Sequence, residues 1–86
     1  MDISVVVPVY NEEGNLKMLH DEIVSAVRPT GKSYEIFYVD DGSKDKSFQI
    51  LRGIAEIDKT VRIVRFRRNF GQTAALACGA ELSKGT

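Results

Sequence analysis

A strand that is apolar throughout and ends in two aspartates constrains the fold of this chain more than any other stretch. Residues 36–39 are apolar, β-branched or aromatic and do not alternate with polar residues, as expected of a strand covered on both faces. Asp40 and Asp41 follow directly, Gly42 and Ser43 interrupt the regular structure, and Asp45 is expected to cap the next helix. Because ligands bind beyond the carboxyl ends of strands in open α/β sheets, the two aspartates form either a binding site or a turn.

The segment before this strand predicts another strand and an amphipathic helix. Ile3–Val9 is a second apolar run, which predicts a buried parallel strand with Pro8 near its end, where pairing stops. We expect Asn11 to be the N-cap of the helix, with Glu12 and Glu13 in its first turn, where the helix dipole favours negative charge. Apolar residues then recur every three or four positions, before a break at residues 29–31: Leu16, Leu19, Ile23 and Val27.

The segment after the two aspartates predicts a helix, a strand and another helix. In the first of these helices four apolar residues share one face: Ile50, Leu51, Ile54 and Ile57. Residues 61–66 predict a third strand, and residues 72–82 predict a helix rich in alanine. The β-α-β-α-β-α order is typical of a parallel sheet with right-handed crossovers. A fourth strand is expected to begin beyond residue 86, so we interpret residues 1–86 as half of a larger α/β domain.

Composition excludes several classes of function. Twelve basic and twelve acidic residues give a formal net charge of zero, which argues against electrostatic binding to nucleic acid or to an anionic membrane. The single cysteine, Cys78, excludes an internal disulfide and fits a reducing compartment. No apolar run approaches the roughly 20 residues that span a bilayer, and no signal peptide precedes the first strand. We therefore expect a soluble piece that faces the cytoplasm.

Other short motifs carry less information. Neither a complete phosphate-binding loop nor a G-x-G-x-x-G dinucleotide motif is present, and His20 has no second metal ligand nearby in the sequence. The arginines that flank the third strand have two open interpretations. They either meet water at the strand ends, or one or two of them approach a diphosphate, whose oxygens suit the guanidinium fork: Arg62, Arg65, Arg67 and Arg68.

The turn after the first strand makes a binding site the stronger interpretation of the two aspartates. Tyr10 lies where the first strand ends, and parallel strands bring it to the same sheet edge as Asp40 and Asp41. An aromatic ring there can stack on a planar base, and a carboxylate can accept a hydrogen bond from a base N–H or from ribose hydroxyls. Either turn alone is weak support for a nucleotide site, but together they are strong support.

Three motifs resemble the inverting family 2 glycosyltransferases in order and spacing over the whole chain. They are residues 5–13 (VVVPVYNEE), residues 39–45 (VDDGSKD) and residues 68–72 (RNFGQ). The last motif is similar to the branch that includes dolichol-phosphate mannose synthase and the bactoprenol glucosyltransferases. The resemblance implies the GT-A fold, a Rossmann-like α/β domain with a mostly parallel sheet, whose N-terminal half binds the nucleotide of a nucleotide-sugar donor.

The resemblance also implies roles for individual residues. Tyr10 is expected against the base, Glu12 near the base or ribose, and Asp41 as acceptor for a base N–H. Asp40 is expected mainly to order the turn through backbone N–H groups, while Gly71 and Gln72 border the donor. The complete nucleotide-sugar site that the resemblance implies consists of Pro8, Val9, Tyr10, Glu12, Val39, Asp40 and Asp41.

The family's D-x-D metal motif and its catalytic base do not occur in residues 1–86. We therefore predict no catalytic residue and no metal ligand here, and no sugar transfer by this chain alone, whereas the full-length enzyme is expected to use Mg²⁺ or Mn²⁺. That enzyme is expected to move a sugar from UDP- or GDP-sugar to an acceptor, a polyprenyl phosphate, with inversion, at the cytoplasmic face of a membrane. No nucleic-acid partner is expected.

Three alternatives remain at this stage. A nucleotidyltransferase has a similar half-sheet but usually carries a glycine-rich basic loop where this chain has residues 10–13 (YNEE). A phospho-receiver domain requires an aspartate at the end of its third strand, where this chain has arginines. A non-catalytic scaffold is the third alternative. An open half-sheet also has exposed edges, which predicts pairing between copies of the chain.

Overall fold

A computed structural model describes residues 2–67 together with Gly71 and Ala77. The elements are β1 (Ile3–Val9), α1 (Leu16–Val27), a 3-10 turn (Arg28–Thr30), β2 (Tyr34–Asp40), α2 (Ser47–Ile57) and β3 (Val61–Arg65). The three strands form a parallel sheet in the order β1-β2-β3. This confirms the predicted α/β alternation. Of the helix predicted over residues 72–82 only Ala77 is described, and it is helical; the rest lies outside the described residues.

Strand β2 is the centre of the sheet, and both of its faces are buried, as its unbroken apolar sequence predicts. Its side chains alternate between two faces, and Ile36 and Tyr38 point towards α1 and α2, where Leu16, Leu51 and Ile54 complete a shared core. On the opposite face Phe37 and Val39 are also buried. Strand β1 was predicted to be buried as well, but most of it is only half-buried, because it pairs with β2 alone among the described strands.

The helices start later than the sequence predicted. Helix α1 begins at Leu16, not after Asn11, and its N-cap position is Asn15. Asn11 has a φ of +52°, which is left-handed, whereas the N-cap residue of a helix has an extended backbone. Helix α2 begins at Ser47, and its N-cap position is Lys46, one residue after Asp45, but the Asp45 carboxylate still accepts a hydrogen bond from the first N–H of the helix, that of Ser47, at 2.9 Å.

Two further predictions about element ends were wrong. Ile57 was placed on the buried face of α2, but it is 88% exposed, because it is the last residue of the helix and the core ends at Ile54. Strand β3 ends at Arg65, one residue before the predicted end at Phe66. The predicted break after α1 is confirmed, since the 3-10 turn is followed by Gly31, whose φ of +71° favours glycine.

Candidate nucleotide site at the carboxyl edge of the sheet

The carboxyl ends of all three strands meet at one edge of the sheet. Val9, Asp40 and Arg65 lie opposite one another in the strand register. Just beyond this row, the Asp41 N–H donates to the Val9 carbonyl at 2.8 Å, and the Phe66 N–H donates to the Asp40 carbonyl at 2.8 Å. The edge therefore brings Pro8, Val9, Val39, Asp40 and Asp41 together, as the sequence predicted.

The turn after β1 is held by hydrogen bonds to the turn after β2. The Asn11 N–H donates to the Ser43 hydroxyl at 2.9 Å, and the Lys44 N–H donates to the Asn11 side-chain oxygen at 2.8 Å. The left-handed backbone of Asn11 makes this reciprocal pair possible, because it turns both its N–H and its side chain towards residues 43 and 44. Asn11 thus joins the two turns instead of capping α1.

A second pair of hydrogen bonds fixes the residues before α1. The Glu12 N–H donates to the buried Ser47 hydroxyl at 2.8 Å, and the Glu13 N–H donates to the Asp45 carboxylate at 3.2 Å. Asp45 also accepts a hydrogen bond from the Ser47 N–H at 2.9 Å. Desolvation acts to raise the pKa of Asp45, but these hydrogen bonds outweigh it and hold the pKa below its usual value. The carboxylate of Asp45 thus links both turns to the start of α2.

The two aspartates of the acidic turn have different partners. Asp40 is fully buried, and one of its oxygens accepts a hydrogen bond from the Ser43 N–H at 3.1 Å, which confirms that it orders the turn through a backbone N–H. Asp41 is also buried, and its carboxylate accepts a hydrogen bond from the Gly71 N–H at 2.8 Å. Gly71 therefore lies at the edge with the acidic turn. The role of Asp41 towards a base stays a prediction.

Tyr10 and Glu12 lie on the exposed side of this edge. Tyr10 is 43% exposed, so this residue is accessible to a ligand. The Glu12 carboxylate is exposed and accepts a hydrogen bond from the Asn15 side-chain amide at 3.2 Å. Val39, in contrast, is fully buried beneath the edge. An exposed aromatic residue on a turn that is fixed to a second turn with two carboxylates is suited to bind a planar polar ring such as a base.

The structure gives contacts for two of the four arginines in and after β3. Arg62 donates hydrogen bonds to the carbonyls of Lys59 and Val61, so it is engaged at the amino end of β3, away from the carboxyl edge. The Arg65 guanidinium lies 4.1 Å from the centre of the Phe48 ring and faces Asp40. Arg67 is exposed, and Arg68 lies outside the described residues.

Sequence reasoning missed a second polar cluster, in the core between the helices and the sheet. His20 in α1 contacts the Tyr38 hydroxyl through Nδ1 at 2.7 Å and Asp58 through Nε2 at 3.0 Å. Burial, with the nearby carboxylates of Asp58 and Asp21, raises the pKa of Tyr38 far above its usual value. Because the Asp58 carboxylate can only accept, the Nε2–H of His20 donates to it, while Nδ1 pairs with the Tyr38 hydroxyl.

Asp58 is held in this cluster as a carboxylate. Desolvation acts against ionisation, but hydrogen bonds from Thr60 and from His20 hold the pKa of Asp58 below its usual value. The three side chains are 18 and 38 residues apart along the chain, and no local pattern connects them. Two weak signals in the sequence could have suggested the contact between His20 and Tyr38. One is the tyrosine within the apolar run of β2, and the other is the histidine in α1.

The described residues do not fit a metal centre. No group of three or more His, Cys, Asp or Glu side chains within residues 2–67, 71 and 77 is arranged to hold a metal ion. Asp40 and Asp41, the two acids that a metal site would need first, are buried and engaged with backbone N–H groups. Neither helix that the structure describes is long and apolar enough to cross a membrane.

Comparison with known proteins identifies the family. The sequence model of "Glycosyl transferase family 2" matches residues 4–86. The chain is 42% identical over 82 residues to an uncharacterized glycosyltransferase, YkcC, of Bacillus subtilis, covering 95% of this chain and 25% of that protein.

Two further relatives are each named undecaprenyl-phosphate 4-deoxy-4-formamido-L-arabinose transferase. The protein of Pseudomonas paraeruginosa is 46% identical over 84 residues, with 96% of this chain and 25% of the relative covered. That of Aeromonas hydrophila is 39% identical over 84 residues, with 96% of this chain and 26% of the relative covered. The chain thus spans about a quarter of the length of these curated relatives. With the family match over residues 4–86 and a parallel α/β sheet of the expected order, this chain belongs to the family 2 glycosyltransferases.

Proposed function

We propose that this chain is the donor-nucleotide-binding part of a glycosyltransferase that transfers a sugar from a UDP- or GDP-sugar to a polyprenyl phosphate with inversion. The observation that carries the proposal is the carboxyl edge of the sheet, where the half-exposed Tyr10 ring and the buried Asp41 carboxylate lie on turns fixed to each other. A site whose groups are already held in place loses little entropy when a ligand binds.

Each predicted site residue has a role that its position supports. Tyr10 stacks on the base, and the Asp41 carboxylate accepts a hydrogen bond from a base N–H. Pro8 and Val9 form the apolar wall beside the ring, and Val39 supports the floor from below. Glu12, on the exposed side of the edge, accepts from the ribose hydroxyls or the base.

The polyprenyl-phosphate acceptor is supported by the names of two relatives, each called an undecaprenyl-phosphate 4-deoxy-4-formamido-L-arabinose transferase. A phosphate oxygen of the lipid attacks the anomeric carbon from the face opposite the diphosphate, the bond to the diphosphate breaks, and the configuration inverts. Because the acceptor is already anionic, it requires little help from a general base. A polar donor and a lipid acceptor can meet only at a membrane surface, and we place the whole enzyme at the cytoplasmic face.

Catalysis itself is assigned to parts of the whole enzyme other than this chain. The described residues hold no arrangement for a divalent cation and the sequence has no D-x-D motif, and we propose that Mg²⁺ or Mn²⁺ binds to residues of the whole enzyme outside this chain. The chain alone then binds nucleotide without transferring sugar. Mn²⁺ added without nucleotide should leave the NMR signals of Asp40 and Asp41 unbroadened, and selective broadening there would contradict this assignment.

We also propose that copies of this chain associate through strand edges. Among the strands that the structure describes, β1 and β3 each pair on one side only, and an unpaired edge presents backbone donors and acceptors to another chain. Sedimentation velocity over a range of concentrations should show dimers or larger species. A monomer throughout that range would contradict this proposal without affecting the nucleotide site.

The nucleotide site is tested by NMR titration of the isotope-labelled chain with UDP and with GDP. We expect saturable shifts of the amides of residues 9–13 and 40–45 with at least one of the two nucleotides, and small changes for the amides around His20. Unchanged spectra at millimolar nucleotide, or shifts confined to the helix side of the sheet, would refute nucleotide binding at this edge.

A further inference from the structure

We propose that Arg65 is a positioning residue for the nucleotide site and that it acts through the buried carboxylate of Asp40. This inference deepens the proposed function and rests on it for the part that concerns nucleotide affinity. Arg65 and Asp40 are cross-strand partners at the last residue of β3 and of β2, and their side chains lie on the same face of the sheet. Opposite charges at such a position attract each other across the strands.

The Asp40 carboxylate requires a compensating charge. The residue is 0% exposed, and only its Oδ1 accepts a hydrogen bond, whereas Oδ2 is buried and has no hydrogen-bond partner in the part of the chain that the structure describes. A buried carboxylate is unfavourable unless an opposite charge or hydrogen bonds offset its desolvation. The Nε atom of Arg65 lies 4.0 Å from this oxygen and supplies that charge.

Phe48 holds the Arg65 side chain in place. The guanidinium carbon lies 4.1 Å from the centre of the Phe48 ring, within the range of a cation–π interaction. Phe48 lies in the first turn of α2, directly after the loop that carries the acidic turn. Although the Arg65 side chain is 54% exposed, its head group is therefore directed towards Asp40 and not free in solvent.

Asp40 transmits this restraint to both turns of the nucleotide site. Its Oδ1 accepts a hydrogen bond from the Ser43 N–H, and the Ser43 hydroxyl accepts one from the Asn11 N–H. A continuous series of contacts thus runs from Arg65 through Asp40 and Ser43 to Asn11, which directly follows Tyr10. Loss of the Arg65 charge should loosen the acidic turn and the Tyr10 turn together.

The test compares Arg65→Gln and Arg65→Lys with the control Arg62→Gln. Arg62 belongs to the same strand but donates to backbone carbonyls away from the carboxyl edge. The first measurement is amide hydrogen exchange of Ser43 in the nucleotide-free chain, with the Ile36 amide, bonded to the Thr60 carbonyl at 2.9 Å, as the reference for global opening. The second is the dissociation constant of UDP and GDP by NMR titration.

An ion pair at 4 Å corresponds to about a fivefold change in an equilibrium constant even in bulk water, and to more near a protein surface. We therefore expect Arg65→Gln to accelerate Ser43 exchange at least about fivefold relative to Ile36 and to weaken nucleotide binding by a similar factor. Arg65→Lys keeps the charge but lacks the planar guanidinium, so we expect its Ser43 exchange rate and its nucleotide affinity to lie between those of the wild type and those of Arg65→Gln. Arg62→Gln should change neither.

Several results would overturn the inference. One is a Ser43 amide that exchanges at the same rate in Arg65→Gln as in Arg62→Gln. Another is an Arg65→Gln variant in which the Ser43 and Ile36 amides exchange faster by the same factor, because that would show only a loss of global stability. Unchanged nucleotide affinity despite faster Ser43 exchange would also overturn it. If the wild-type chain binds no nucleotide, the proposed function fails, while a selective effect of Arg65→Gln on Ser43 still supports the positioning of the turn through Asp40.

Discussion

The buried cluster of His20, Tyr38 and Asp58 makes a strong prediction about stability. Tyr38→Phe removes one hydroxyl from a residue that is 0% exposed and leaves Nδ1 of His20 without its partner at 2.7 Å. The shape of the core is otherwise kept. The change therefore isolates the contribution of one buried hydrogen bond.

The expected magnitude follows from what remains after the substitution. A typical hydrogen bond contributes about 0.5–1.5 kcal/mol, and a buried polar atom left without a partner costs about 1–3 kcal/mol. His20 is itself buried, so water has poor access to Nδ1, and we expect Tyr38→Phe to lower the free energy of unfolding by about 2 kcal/mol. For a domain of this size that corresponds to a decrease of Tm of roughly 8–16 °C.

The assay is urea unfolding followed by far-UV circular dichroism, with Tyr10→Phe as the matched control. Tyr10 is 43% exposed, so loss of its hydroxyl should change stability by less than about 0.5 kcal/mol. A double-mutant cycle with His20→Ala then measures the coupling between His20 and Tyr38, which we expect to be about 1 kcal/mol or more. Tyr38→Phe with wild-type stability, or a cycle without coupling, would refute the role assigned to this cluster.

Three smaller predictions concern residues around the site and the core. Ser47→Ala should lower the free energy of unfolding by about 1–3 kcal/mol in urea, because it leaves the Glu12 N–H without an acceptor, whereas Ser25→Ala on the exposed face of α1 should not destabilise the chain. The pKa of Asp58 is lower in the folded state than in the unfolded state, where it is about 3.9. The Asp58 carboxylate therefore contributes fully to the free energy of unfolding above that pH, and this contribution is lost as pH falls through the folded-state pKa. The stability difference between wild type and Asp58→Asn should therefore shrink as pH falls below about 4, and a difference that does not change in that range would contradict this. Gly53→Ala should raise Tm, because alanine favours the helix by up to about 1 kcal/mol and no atom lies within 4 Å of the added methyl group.

The order of elements could be predicted because local patterns determine it. The unbroken apolar run of β2 predicts that this strand is buried. The spacing of apolar residues in each helix likewise predicts which face is buried, with Leu16 in α1 and Leu51 in α2. The parallel sheet follows from the alternation of strands and helices. Parallel strands also bring Tyr10 and Asp41 to one edge, so the sequence alone predicts that these residues share an edge, whereas their role in nucleotide binding stays a prediction. These inferences need only the identity of residues close together in the sequence.

Contacts between distant residues could not be predicted in the same way. Asparagine is common at helix N-caps, so Asn11 was predicted to cap α1. Its hydrogen-bond partners are instead Ser43 and Lys44, and these contacts impose a left-handed backbone. The pairing of Asp40 with Arg65 depends on strand register, which the sequence does not reveal for a strand as short as β3. The His20 cluster depends in addition on the contact between α1 and Asp58, the residue that follows α2.

The affinity of the Asp41→Asn variant for UDP and GDP tests the central claim most directly. Asparagine keeps an oxygen that can accept from the Gly71 N–H but loses the charge offered to a base N–H. Since a hydrogen bond to a charged group contributes about 1.5–3 kcal/mol, we predict a loss of affinity of about tenfold to a hundredfold in NMR titration. Asp21→Asn, on the exposed side of α1, should bind as wild type. A folded Asp41→Asn variant with unchanged affinity would contradict the assignment of this edge as the nucleotide site.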